Sequence, residues 1–88
     1  MSLLGVKPDL RTREAKAAQE FMSRKGYPQI RPVGVVGIPD DSCWYFYYRL
    51  PEGVLELEVI GDPDGHRFTR KVTSFVTDPE RVQHLLAS

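Results

Sequence analysis

Three prolines stand twelve residues apart: Pro39, Pro51 and Pro63. Each is followed by a carboxylate (Asp40, Glu52, Asp64), and the second and third then by Gly53 and Gly65. Proline presets φ for the first central position of a turn, Asp suits the second, and Gly accepts the positive φ that follows. The segments between these turns are Cys43-Trp44-Tyr45-Phe46-Tyr47-Tyr48-Arg49-Leu50 and Val54-Leu55-Glu56-Leu57-Glu58-Val59-Ile60. The first is aromatic, the second is aliphatic with β-branched Val54, Val59 and Ile60, and both are of strand length and bounded by turn residues. Residues 38–66 therefore read as a β-meander around which the rest of the chain must pack.

The flanks supply helices. Residues 9–25 contain no β-branched side chain after Thr12 and are rich in Ala, Glu, Lys and Gln. Leu10, Ala15, Ala17, Ala18, Phe21 and Met22 fall on one arc at 100° per residue, opposite Arg13, Lys16, Glu20 and Arg24. Asp9 or Thr12 is the expected N-cap. Lys25-Gly26-Tyr27-Pro28 ends the helix, with Gly26 in the left-handed conformation. A first strand follows over residues 29–38, weakened by Pro32, Gly34 and Gly37 and therefore at an edge. A fourth strand spans 66–76. Asp78-Pro79-Glu80 starts a second helix, whose apolar face is Val82, Leu85 and Leu86. The expected fold is one α+β domain over residues 9–88 behind a leader of residues 1–8. Its order is α-β-β-β-β-α: a four-stranded antiparallel meander with both helices packed on one face.

Four-residue turns fix a register. Trp44 falls opposite Val59, Phe46 opposite Leu57 and Tyr48 opposite Leu55. Val35 faces Phe46, Val33 faces Tyr48, Phe68 faces Val59 and Val72 faces Leu55. One face then collects these apolar residues as the core. A three-residue loop at Pro51-Glu52-Gly53 would slip the register by one and bury Glu56 and Glu58, which is costly without partners. On the opposite face, the third and fourth strands are polar, with Glu58 facing Thr69 and Glu56 facing Lys71. The first two strands present Val36, Ile38, Cys43, Tyr45 and Tyr47 there. This apolar half-face is the expected binding site, for a protein partner or a second copy of the chain. The alternative is that the leader (Leu3, Leu4, Val6) or the C-terminal helix folds over it.

Chemistry-bearing residues are sparse. Asp40, Asp41, Asp62 and Asp64 gather at one end of the sheet, but Asp62-Pro63-Asp64-Gly65 lacks the distal bidentate Glu of a calcium loop, so the reading is turn residues and no metal. Cys43 with His66 or His84 has no orienting third group. One cysteine excludes an internal disulfide. No catalytic residue and no cofactor is expected.

Twelve basic and twelve acidic groups balance overall, but unevenly: residues 1–33 carry +4, residues 34–65 carry −6 and residues 66–88 carry +2. The basic face of the first helix, with Arg13, Lys16, Arg24 and Lys25, makes nucleic-acid binding the second functional reading. The acidic opening of the last helix and the pair Glu56 and Glu58 weigh against it. The opening residues lack the apolar run of a signal peptide, and no stretch approaches the roughly 20 apolar residues of a membrane span. The sequence thus points to a cytoplasmic, non-enzymatic binding module such as an accessory, inhibitor or regulatory protein.

Overall fold

A computed structural model describes residues 11–62 and 67–86, with the side chains of Pro39, Leu85 and Leu86 left aside. The leader, Asp9, Leu10, the turn from Pro63 to His66 and the apolar contacts of Leu85 and Leu86 lie outside the described residues. The elements are α1 (Arg13–Arg24), β1 (Gly34–Ile38), a 3-10 turn (Pro39–Asp41), β2 (Cys43–Leu50), β3 (Gly53–Gly61), β4 (Phe68–Val76) and α2 (Pro79–Leu86). The strands form one antiparallel sheet in the order β1-β2-β3-β4. This is the α+β meander expected.

Helix α1 begins and ends where its side chains dictate. Thr12 is the N-cap, its hydroxyl accepting from the Ala15 N–H at 3.2 Å. At the other end Gly26 has φ +102°. The Tyr27 N–H donates to the Met22 carbonyl at 2.9 Å and the Gly26 N–H to that of Ser23 at 3.1 Å. These two bonds make a Schellman cap, with Tyr27 packed back on the core cluster that holds Met22. Buried Ala15, Ala17, Ala18 and Met22 let α1 sit close over β3 and β4.

The central register is the one the turns specify: Trp44 opposite Val59, Phe46 opposite Leu57, Tyr48 opposite Leu55, Val35 opposite Phe46. Phe46, Tyr48, Leu50, Leu55, Leu57 and Val59 are buried against α1. Trp44 packs at the rim of this core rather than inside it, edge-on to Phe68 with ring centroids 6.2 Å apart. Gly37, its cross-strand partner, makes room for the indole: a Cβ there would stand 3.1 Å from Trp44 Cδ1.

Four expectations are corrected. Strand β1 starts at Gly34, because the prolines at 28 and 32 break the run before it; of residues 28–33, Val33 still donates its N–H to the Tyr47 carbonyl at 2.7 Å. Val33 lies ahead of the strand and packs with Tyr47 and Val54, not in the α1 core. Strand β4 pairs two residues further along than expected: Val59 faces Arg70, Glu58 faces Lys71 and Leu57 faces Val72. A shift of two keeps every side chain on its face. A bulge then intervenes, since Leu57 pairs with Val72 but Glu56 with Ser74, leaving Thr73 extra. The bulge reverses the facing of the strand's end, so Phe75 falls opposite Leu55 and Val76 opposite Val54.

That reversal decides where α2 goes. Val76 packs with Tyr47 and Val54 on the sheet face away from α1, and Val82 of α2 joins them. The helices therefore lie on opposite faces, not together. Helix α2 is capped as its sequence predicts, the Glu80 N–H donating to Asp78 Oδ1 at 3.1 Å.

Candidate functional site

The sheet face opposite α1 is organised as rows of cross-strand neighbours. The first row is Ile38, Cys43, Ile60 and Thr69; the second is Val36, Tyr45, Glu58 and Lys71; the third is Gly34, Tyr47, Glu56 and Ser74; the fourth holds Arg49, Val54 and Val76. Alternation along each strand puts these residues on one side by necessity.

Helix α2 closes the third and fourth rows. Tyr47 is 1% exposed and forms the centre of a second core cluster with Val54. Its hydroxyl donates to Glu56 Oε2 at 2.8 Å and accepts from Arg81 Nη2, which also reaches Glu56 at 3.3 Å. The Arg81 guanidinium lies 5.1 Å from the Tyr47 ring centroid, over its face. Burial, and then the Glu56 carboxylate, push the Tyr47 phenol well above the usual tyrosine range. Of the expected binding residues, Tyr47 is thus an anchor for α2 and is not accessible.

The contacts of Arg81 and Val82 fall on the third and fourth rows. Ile38 is 40% exposed and Ile60 39%, flanking Cys43, which is buried between them. Val36 and Tyr45 are half-buried and lean on the Tyr47 cluster. The Tyr45 hydroxyl donates to Glu58 Oε2 at 2.9 Å, and Cys43 Sγ lies 4.0 Å from the same oxygen. The Cys43 sulfur and the Glu58 carboxylate beside it raise the Tyr45 phenol well above its ordinary value. Four of the five expected residues, Val36, Ile38, Cys43 and Tyr45, are thereby brought together, and Ile60 completes the patch. Ile60 was legible: it shares parity with Glu56 and Glu58, and its pairing with Cys43 follows from the same register. Treating the whole outer side of β3 as polar hid it.

The side-chain partner of Cys43 is a carboxylate, not the cation or imidazole that activates a thiol nucleophile. His66 and Asp64 lie outside the described residues. Among the described residues no group of three or more His, Cys, Asp or Glu is placed to hold a metal ion, and no helix is long and apolar enough to cross a membrane.

The cations of the second reading divide. Arg24 is paired with Glu20 at 2.5 Å, and Lys25 Nζ sits 5.7 Å from the Phe21 ring centroid. Arg13 and Lys16 instead line a hollow between α1 and β4. Compared with known proteins, the chain matches no family model, no curated protein and no solved structure.

Proposed function

We propose that this protein is a cytoplasmic, non-enzymatic protein-binding module of the accessory, inhibitor or regulatory kind. It acts through the face of β1, β2 and β3 formed by Val36, Ile38, Cys43, Tyr45 and Ile60. The observation that carries the reading is the row Ile38–Cys43–Ile60, with two large aliphatic side chains exposed at 40% and 39% on a rigid sheet. Arg81 and Val82 of α2 pack on the Tyr47 end of this face, and Ile38 and Ile60 are exposed at the other. Exposed aliphatic pairs on a sheet are favourable to cover and unfavourable to leave in water.

The occupant that fits most simply is a second copy of the chain. A twofold contact lets Ile38 of one copy meet Ile60 of the other with Cys43 at the centre. Edge-to-edge pairing through β1 is the less suitable route: the strand is five residues long, contains Gly34 and Gly37, and follows Pro32. The test is Ile38→Lys with Ile60→Lys, read by sedimentation velocity beside far-ultraviolet circular dichroism. Both side chains lie off the two core clusters. The variant should keep its fold and lose self-association by about tenfold or more in Kd. A wild-type chain that stays monomeric at high concentration overturns the twofold reading. A variant that is folded and associates as before overturns the face.

A further inference from the structure

The geometry points to a single-stranded nucleic-acid site on the opposite side of the molecule, in the hollow between α1 and β4. The hollow has a volume of about 530 Å³ and is lined by Arg13 and Lys16 from α1 and by Arg67, Phe68 and Arg70 from β4 and its approach. Arg70 lies on the α1 side of the sheet because it pairs with core Val59. The basic N-terminal third and the basic C-terminal segment of the chain thus converge on one concavity. Among the described residues its one carboxylate, Glu20, is already engaged by Arg24 at 2.5 Å.

Two features select an extended strand over a small anion. First, the cationic surface continues across α1. Lys16 also lines a second groove of about 920 Å³, whose far wall is residues 28–31 and includes Arg31. That wall is tied to the helix by Gln19 Nε2 donating to the Pro28 carbonyl at 2.9 Å. Arg70, Arg67, Lys16 and Arg31 therefore mark a track longer than any one phosphate, and among the described residues none of the four has an ion-pair partner. Second, the hollow pairs a guanidinium with an aromatic ring. The Arg13 guanidinium lies 5.6 Å from the Phe68 ring centroid, and Trp44 braces the ring edge-on. Guanidinium planes and aromatic rings are the surfaces on which unpaired bases stack. A duplex offers no such base and does not enter a concave groove, so the strand is single.

The test is fluorescence anisotropy with labelled oligo-uridine and oligo-thymidine of about twenty nucleotides. Four phosphate contacts give a slope of about −2.8 in log K against log salt, so affinity should fall about fiftyfold between about 50 and 200 mM salt. Lys16→Gln with Arg67→Gln changes two exposed cations without touching either core. It should halve the slope, so that the same salt step costs only about sevenfold. Ile38→Lys with Ile60→Lys, on the other face, should leave strand binding unchanged, which separates this site from the docking face. Absence of saturable binding at the lower salt overturns the assignment, as does an unchanged slope in the Lys16→Gln, Arg67→Gln variant. Equal affinity for a duplex, for inorganic tripolyphosphate or for anionic lipid vesicles overturns it too.

Discussion

Replacing Tyr47 separates a two-sided domain from one whose outer face is open. The ring is 1% exposed and packed by Val54, Val33, Val76 and Val82. Tyr47→Ala removes an aromatic side chain from a filled site and should cost about 3–5 kcal/mol. A domain of this size has a total stability of about 4–13 kcal/mol, so the variant should sit near the edge of folding. Tyr47→Phe is the finer probe. It keeps the ring and deletes the hydroxyl that donates to Glu56 and accepts from Arg81. Glu56 retains Arg81 at 3.3 Å, so the expected loss is about 1–2 kcal/mol rather than that of an orphaned carboxylate. Guanidinium denaturation followed by Trp44 fluorescence measures both. Combining Tyr47→Phe with Arg81→Leu should give less than the sum of the single effects, by about 0.5–1.5 kcal/mol, because the two groups share a network. An open outer face predicts the reverse: Tyr47→Ala within about 0.5 kcal/mol of wild type, as at ordinary surface positions. That result, or strict additivity with Arg81→Leu, refutes the placement of α2.

Alkali should weaken the fold. Burial raises the Tyr48 phenol, and burial with Glu56 raises Tyr47, so the folded chain holds these protons after the unfolded chain has released them. Stability should be flat below about pH 10 and fall above it, by up to about 1.4 kcal/mol per pH unit for each retained proton. Denaturation midpoints across that range measure it, and Tyr47→Phe should lower the slope by one proton; a flat profile contradicts the burial. Gly26→Ala should destabilise by about 1 kcal/mol or more, since φ +102° is strained for any residue with a Cβ. A variant that melts higher than wild type would contradict the cap.

Much of this architecture was legible because turn chemistry and alternation agree. Pro51-Glu52-Gly53 sets the β2–β3 register, and a one-residue slip would have buried Glu56 and Glu58. Lys25-Gly26-Tyr27-Pro28 writes the end of α1 with a residue suited to each position. The β4 register was not legible, because a slip of two residues leaves every apolar side chain on the same face and costs the pattern nothing. The bulge at Thr73 carries no glycine or proline to announce it. Its consequence is large, since it turns Val76 over and sends α2 to the far face. A helix of eight residues with a few apolar side chains suits either side of a sheet, so only the bulge decides. Four of the five proposed docking residues came from parity alone. Tyr47 was lost from the accessible set through α2, and Ile60 was added by its pairing with Cys43. Arg70 keeps the α1 side in either register, so its facing was legible; its meeting with Arg13, Lys16 and Arg67 in one hollow was not, because alternation does not say where along α1 it falls.

A dilution series of amide nitrogen–proton NMR spectra tests the docking face most directly. Self-association through the first two rows should move the resonances of Val36, Ile38, Cys43, Tyr45 and Ile60 with concentration. Those of α1, of α2 and of Tyr47 beneath it should stay still. Spectra without concentration dependence, or shifts that map to α1, would contradict it.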